Sequence, residues 1–342
     1  MMKHSLYISV LSVISSFAVV MLHTNGCFWE FSTEFYWFTA NIIESIMYFA
    51  VPIFFMISGA TLMNYRERYT TKEYFVKRIQ KTLIPFVLWN IVGLIYCVLR
   101  NRIVFSDISF LDFFEMMFNN RIVNIYWFFI PLFSVYMAIP LFSAISKEKR
   151  KSIFTYLAIG GFMFNCLLPL MGSVFRFEYN NALQIGVVSE YLLYVIIGFL
   201  LYEYECEKKL RYIIYSFGIV GLLLHILGTY YLSMNAGSVI STFKGYNNLP
   251  CVLYSIAIFV FVKQLVRYRE DNKAIQFVAS LNKYTFAVYL MHWFIMDIMI
   301  SVFNIDIRTI VYRVGAPVII FAICILIAKI VRQIPFGKYL LP

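Results

Sequence analysis

The sequence has few charged residues and few recognisable polar motifs. Only 14% of its 342 residues are charged, whereas 61% are hydrophobic and 19% are aromatic. The mean hydropathy of +0.76 exceeds what a soluble globular protein needs. The six cysteines show no C-x-x-C spacing and mostly lie within apolar runs, so the sequence predicts neither a disulfide framework nor a metal site. It shows no internal repeat, low-complexity tract or separate soluble domain.

Apolar runs of roughly 17 to 25 residues recur between short polar connections, a pattern typical of polytopic helical membrane proteins. We predict an all-α membrane bundle of about ten transmembrane helices that forms a single domain over residues 1–342. The predicted spans are 6–25, 41–62, 83–99, 125–145, 152–171, 186–202, 211–232, 249–266, 284–303 and 310–330. With both termini cytoplasmic, 22 of the 29 Lys and Arg residues fall on the cytoplasmic side. The net charge of +11 therefore does not require a nucleic-acid partner.

The first run, Leu6 to Asn25, carries a single ionisable side chain, His23, at its far end. A membrane helix that ends in an imidazole indicates a functional site, and a hydrated interfacial histidine is the alternative. Glu44 lies about one turn from the outer end of the second span. There it either orients the His23 tautomer for general-base catalysis or caps the helix and faces water. We expect the first helix to continue past His23 to Trp29, with the imidazole in an internal cavity near Glu44.

The connection before the third span is the most basic segment on the predicted cytoplasmic side. It contains Lys77, Arg78 and Lys81, of which the last two share a helical face at the membrane surface. This face suits a phosphorylated cytosolic ligand, whereas setting of topology and binding of anionic lipids are the alternatives. On the second span, Ser58 and Gly59 permit a close backbone approach, either to a ligand or to a neighbouring helix.

Further polar and aromatic side chains lie in the later spans. Tyr126 and Trp127 open the fourth span and form either an aromatic belt or a surface for stacking a sugar. His292 and Asp297 of the ninth span are costly to bury in lipid, so each should face the bundle interior. We also assign to the lining of an internal cavity two ionisable side chains of the sixth and seventh spans, Glu190 and His225.

Five segments, in order, resemble the signatures of one protein family. They are AVVMLH ending at His23, VPIFFMISG (51–59), YFVKRIQKTLIPF (74–86), YWFFIPLFSVYMAIPL (126–141) and LNKYTFAVYLMH (281–292). Together they resemble the integral-membrane acyltransferase family 3, the bacterial O-acetyltransferases of surface polysaccharides and related envelope glycans. The resemblance implies that His23 is catalytic, that FFxxSG ends in Ser58-Gly59, and that the acyl-CoA element R-x-x-R falls on Arg78 and Lys81.

The chain departs from this family pattern at two positions. Lys81 replaces the second Arg, which keeps the charge but loses the bidentate geometry for phosphate. Ser12 stands where many members carry an Arg, eleven residues before the catalytic His.

The resemblance implies an O-acyltransferase of the bacterial cytoplasmic membrane, with acyl-CoA, most simply acetyl-CoA, as donor substrate and no tightly bound cofactor. The acceptor would be a hydroxyl of a cell-envelope or exported glycan, with membrane lipids and polysaccharide-synthesis machinery as further partners. His23 would act as a general base or as an acyl relay, and both remain open. A glycan exporter without chemistry is the alternative, but it needs a continuous polar path, and the sequence supplies only a few intramembrane polar groups.

Overall fold

The computed structural model describes residues 6–104, 108–335 and 337–341, and within these ranges it contains helices and turns but no strand. Of the basic residues counted above, Lys3 and the side chain of Lys338 lie outside this description. The α-helices are α1 (Leu6–Thr24), α2 (Phe35–Met47), α3 (Ala50–Leu62), α4 (Thr71–Arg78), α5 (Ile84–Leu99), α6 (Phe110–Phe118), α7 (Phe129–Ser143), α8 (Lys147–Gly161), α9 (Leu168–Phe175), α10 (Leu192–Glu203), α11 (Lys208–Leu223), α12 (Thr229–Ala236), α13 (Leu249–Arg267), α14 (Lys273–Ser280), α15 (Thr285–Phe303), α16 (Ile310–Val331) and α17 (Gly337–Leu340).

Several of these helices join end to end into longer apolar segments. In the described part of the chain, nine segments are long and apolar enough to cross a membrane: Leu6–Thr24, Phe35–Glu67, Thr71–Leu99, Asn124–Ser143, Lys147–Phe175, Lys208–Ala236, Leu249–Arg267, Lys273–Phe303 and Ile310–Val331. The shorter apolar helix Leu192–Glu203 corresponds to the predicted span 186–202, whose first residues lie outside the helix. The prediction of a multi-pass all-α membrane protein is confirmed.

The contacts divide the chain into two compact units. The first unit comprises residues 6–63 and 145–325, and in it α1 packs against α3, α13, α14 and α15. The second unit comprises residues 64–144 and 326–341, where the Trp89 indole donates to the Leu340 carbonyl at 2.9 Å. One domain over residues 1–342 stays a prediction.

The crossing of α3 and α10 in the first unit depends on two glycines. A Cβ added to Gly59 would overlap the backbone of Val195, and one added to Gly198 would overlap that of Met56. Such close approach of two backbones is how small residues hold membrane helices together in the absence of a hydrophobic driving force. Gly59 therefore has the packing role that the sequence left open.

The second predicted span is interrupted between α2 and α3, where Tyr48 and Phe49 form a turn. Pro52 lacks an N–H and clashes with the carbonyl of the preceding turn, which explains the break. The Tyr254 hydroxyl satisfies two backbone groups at the break. It accepts from the Phe49 N–H at 2.6 Å and donates to the Ser45 carbonyl at 2.8 Å. The break turns Tyr48 away from the regular helix and toward the polar site described below.

We predict that Gly59→Ala destabilises the protein by about 1–3 kcal/mol, since the added methyl group must push α3 and α10 apart. Gly315→Ala is the control, because a Cβ at this helical position meets no atom within 4 Å. It should leave the melting temperature unchanged or raise it, since Ala favours helix by about 0.5–1 kcal/mol. Thermal unfolding of the purified proteins measures both, and equal melting temperatures for the two variants would contradict this packing role.

Candidate functional site

Helices α1 and α15 run in the same direction and face each other through two polar layers. In the first layer, the Ser12 hydroxyl lies 3.2 Å from that of Thr285, and Ser16 donates to the Thr285 carbonyl at 3.3 Å. His23 follows Ser16 by seven residues and His292 follows Thr285 by seven, which is two helical turns or about 10.5 Å on each helix. The same register therefore brings the two histidines together, with ring centroids 5.1 Å apart.

The tautomer of His292 follows from its hydrogen bond. Its Nδ1 lies 3.0 Å from the Val288 carbonyl oxygen, which can only accept, so Nδ1 carries the proton. The neutral ring then presents Nε2 as a lone pair. His292 is fully buried, and Nε2 has no hydrogen-bond partner among the described residues. A buried acceptor beside the half-buried His23 is ready to receive an N–H from that ring.

The expectation that helix α1 continues to Trp29 is wrong, because α1 ends at Thr24, one residue after His23. A short 3-10 helix, Gly26–Trp29, follows and keeps Cys27 and Phe28 buried. Asn25 joins the two elements, and its side-chain amide donates to the Ala40 carbonyl of α2 at 2.9 Å. The imidazole thus lies directly before a tight turn that is hydrogen-bonded to α2.

A buried ion pair lies against this turn. Lys244, in the connection 237–248, contacts a Glu44 carboxylate oxygen at 2.9 Å, and the two side chains are 2% and 4% exposed. The other Glu44 oxygen accepts from the Asn25 amide at 3.4 Å. Burial lowers the pKa of Lys244, while the Glu44 carboxylate opposes this by favouring the charged ammonium.

Three aromatic rings surround the Lys244 ammonium. Its Nζ lies 3.6 Å from the ring centroid of Tyr48, 4.8 Å from that of Phe28 and 5.0 Å from that of Trp29. Desolvated cation–π contacts of this kind are worth about 2 kcal/mol or more. Tyr48 in turn stacks on Tyr246 of the same connection at 4.2 Å. The connection is therefore fixed onto the end of α1 by a charge and by aromatic packing.

Arg313, from the first turn of α16, joins the same network. It is 1% exposed, and its guanidinium donates to the Asn25 side-chain oxygen at 3.4 Å and to the Thr39 hydroxyl at 2.8 Å. Its backbone carbonyl accepts from the Thr24 hydroxyl at 3.4 Å. The residues on both sides of the α1 terminus are thereby held by α2 and α16.

Glu44 was predicted to lie beside His23, capping a helix or orienting the ring. It is buried and is the tenth of the thirteen residues of α2, so a water-facing cap at the helix N-terminus is wrong. Among the described residues its hydrogen bonds go to Lys244 and Asn25, and none goes to His23. Glu44 contacts the turn after the imidazole, and His292 contacts the imidazole itself.

Of the other predicted cavity residues, His225 reaches this group through the ring of Tyr48. Glu190 is exposed in the turn before α10 and lies outside any helix, contrary to its predicted place in a span. Asp297 is half-buried, further along α15. His225 is fully buried in the π-helix Leu224–Gly228 and packs against Tyr48, with ring centroids 5.2 Å apart. Neither of its ring nitrogens has a hydrogen-bond partner among the described residues.

Ser58 is occupied locally, since its hydroxyl donates to the Phe54 carbonyl one turn back at 3.0 Å. In the second unit, Tyr126 is fully buried and its ring meets that of Phe129 edge to face at 5.7 Å. Trp127, by contrast, is half-buried and leaves part of its ring accessible. The buried face of Tyr126 serves packing, which leaves Trp127 as the accessible ring of this pair.

The predicted basic face, also in the second unit, is built differently from an α-helix. Helix α4 ends at Arg78 and a π-helix, Ile79–Leu83, follows, so Lys81 does not keep the α-helical register with Arg78. The Arg78 guanidinium packs over the rings of Tyr74 and Tyr136, 5.8 and 5.3 Å from their centroids, while Lys81 is exposed. The Arg78 Nε is buried and has no partner among the described residues.

Two residues of the network were missed by sequence reasoning. In the sequence, Lys244 and Arg313 counted only among the seven basic residues that are not on the predicted cytoplasmic side. The available signal was Arg313 itself, an arginine three residues into an apolar span, which membrane insertion disfavours unless it is buried in protein. Lys244 carried no such signal, because it lies in a polar connection 200 residues from Glu44. No group of three His, Cys, Asp or Glu side chains in the described ranges can hold a metal.

Comparison with known protein families gives one match. Residues 5–329 match the acyltransferase domain of acyltransferase family 3. The chain belongs to this family. No match was found among curated proteins or among solved structures. This acyltransferase family 3 protein is therefore a multi-pass membrane acyltransferase in which the half-buried His23, near the end of the first helix, lies against the buried His292.

We predict that Glu44→Gln or Lys244→Met alone destabilises this acyltransferase by about 3–5 kcal/mol, since each leaves a buried charge unpaired. The double variant should recover most of the loss, because neither position of the pair then carries an unpaired charge. Melting temperatures of the four proteins form a double-mutant cycle. Glu30→Gln, in the exposed pair with Arg308, is the control and should not change the melting temperature. Additive effects of the two buried substitutions would contradict the pairing.

Proposed function

We propose that the protein is an O-acyltransferase of the bacterial cytoplasmic membrane. It moves an acyl group, most simply acetyl, from cytosolic acyl-CoA to a hydroxyl of a cell-envelope or exported glycan. The observation that carries the proposal is the His23–His292 pair, with ring centroids 5.1 Å apart, in a chain of an acyltransferase family. Acyl transfer between a thioester and an alcohol needs a positioned base, and imidazole is the side chain most often used.

His23 removes the proton from the acceptor hydroxyl as its oxygen attacks the thioester carbonyl. The new C–O bond forms, the C–S bond breaks, and the proton passes from the His23 imidazolium to the departing thiolate. In the relay variant His23 first carries the acyl group itself and then passes it to the hydroxyl. Both routes place the same ring at the reacting carbon.

His292 stabilises the imidazolium that His23 becomes. Its Nε2 lone pair is directed by the hydrogen bond from Nδ1 to the Val288 carbonyl and has no other partner in the described residues. An N–H of His23 can donate to it after a small rotation of the ring, since catalytic hydrogen bonds often tighten only in the substrate complex. His292 thus plays the orienting role that a carboxylate plays in a serine-protease triad, without adding a charge.

The donor's phosphates bind the basic residues of the second unit. The Arg78 guanidinium is held against two tyrosine rings and has a free Nε. The half-buried Lys77 ammonium lies 3.7 Å from the centroid of the Tyr69 ring, and the exposed Lys81 supplies a flexible charge. A planar guanidinium fixed by stacking loses little entropy when it binds phosphate. The half-buried Trp127 stacks on a sugar of the acceptor.

We predict that His23→Ala lowers the rate of acetyl transfer from acetyl-CoA by on the order of 10² to 10⁴, the usual contribution of a positioned base. His292→Ala should lower it by roughly ten- to a hundredfold, since a hydrogen bond to a charged group is lost. His292→Gln, which keeps an acceptor in place, should retain more activity. The matched control is His225→Phe, which replaces another buried imidazole whose nitrogens make no bond in the described structure. A His23→Ala protein that transfers acetyl at the wild-type rate would contradict the proposal.

We predict that Arg78→Ala raises the KM for acetyl-CoA without a comparable fall in kcat, because a phosphate contact contributes equally to ground state and transition state. Lys72→Ala, an exposed lysine in the same helix, is the control and should leave KM unchanged. Steady-state kinetics with varied acetyl-CoA distinguishes the two. An unchanged KM in Arg78→Ala would assign this basic segment to topology or lipid binding instead.

A further inference from the structure

Arg313 is a buried cation without a buried anion of its own. Its hydrogen bonds go to two neutral oxygens, those of Asn25 and Thr39, and its Nε has no acceptor in the described structure. None of the described carboxylates forms an ion pair with it. Burial of an arginine usually requires a paired charge, so this arrangement is costly as it stands.

The neighbouring carboxylate cannot compensate the charge. Glu44 reaches the same Asn25 side chain, but it is already paired with Lys244 at 2.9 Å. The network of Glu44, Lys244 and Arg313 therefore carries one net positive charge inside the first unit. Glu30 is 65% exposed and is engaged by Arg308, so it does not neutralise the network either.

Arg313 contacts the two residues that directly follow the reacting imidazole in the sequence. The Arg313 carbonyl contacts Thr24 and its guanidinium contacts Asn25, the two residues that follow His23. We propose that Arg313 binds an anionic group, a carboxylate or a phosphate, of the acceptor glycan. This rests on the proposed function. It restricts the acceptor to glycans that carry a negative charge near the acylated hydroxyl.

We assign the anion to the acceptor and not to CoA because of the end of helix α1 at which Arg313 lies. Arg313 contacts the C-terminal end of α1, whereas Ser9, near the other end, contacts Asn282. The predicted topology places the C-terminal end of α1 outside, and acyl-CoA is cytosolic. The ligand replaces the long 3.4 Å bond to Asn25 and enters past the turn Gly26–Trp29, whose Gly26 is exposed.

The test compares two trisaccharides that differ only in charge and adds one phosphate-bearing acceptor. The full-length purified protein transfers acetyl from acetyl-CoA to a trisaccharide with one hexuronate, to the matched neutral trisaccharide, and to a glycerol-phosphate trimer. The two anionic acceptors separate carboxylate from phosphate as the source of the charge. The variants are Arg313→Gln, Arg313→Lys and, as control, Arg308→Gln, which removes an exposed charge five residues earlier.

For the wild type we expect a KM roughly ten- to a hundredfold lower for at least one anionic acceptor than for the neutral one, as for a charged hydrogen bond. Arg313→Gln should abolish this preference, so that its KM values for the anionic and the neutral acceptors become equal, whereas any loosening of the turn after His23 changes kcat for all acceptors alike. Arg313→Lys should keep part of the preference, and Arg308→Gln should keep all of it.

Two results would overturn the proposal. One is a wild type with no preference for either anionic acceptor. The other is an Arg313→Gln variant that keeps the wild-type ratio of the KM values for anionic and neutral acceptors. If the variant does not fold, or if the wild type acylates none of the acceptors, the proposal is tested by the melting temperature of the wild type with each acceptor bound. At least one of the two anionic acceptors must raise it more than the neutral trisaccharide does, and equal shifts with all three refute the anion site independently of the proposed function.

Discussion

The burial of opposite charges around the end of helix α1 is the constraint on which the site depends. Lys244 comes from a connection, Glu44 from α2 and Arg313 from α16, and the Asn25 side chain bonds to both Glu44 and Arg313. In an apolar interior such groups are tolerated only with their partners in place, since removal of one leaves an unpaired charge. The network therefore fixes the turn after His23 from several directions at once. A catalytic side chain must be held in this way to within a fraction of an ångström.

The register of α1 against α15 adds the second part of the site. A layer of small hydroxyl contacts at Thr285 and the pair of imidazoles lie two turns apart on both helices. Ser12, which stands where the family resemblance implies an arginine in many members, belongs to that hydroxyl layer. A serine there lets α1 approach α15 closely, and the approach aligns His23 with His292. The substitution thus has a structural consequence for the site, although it lies 11 residues from the imidazole.

Hydrophobic patterning was sufficient to predict the all-α membrane architecture and most helix positions, because long apolar runs in a bilayer can only be helices. It also identified His23, Glu44 and His292, since an ionisable residue in an apolar run is conspicuous. Their partners could not be predicted. The pairing of Glu44 with Lys244 spans 200 residues, and the burial of a lysine in a polar connection follows from tertiary packing alone. The end of α1 at Thr24 and the π-helix after Arg78 likewise leave no periodic signal.

The central claim is that His23 directs acyl transfer to a surface glycan, and mass spectrometry of that glycan tests it most directly. Cells that express the wild type, the His23→Gln variant or no protein would be compared for the amount of glycan and for its acyl content. We expect equal amounts of glycan in all three and an added acyl mass only with the wild type. An acyl content in His23→Gln cells equal to the wild type would contradict the claim. Loss of the glycan itself without the protein would instead identify an exporter.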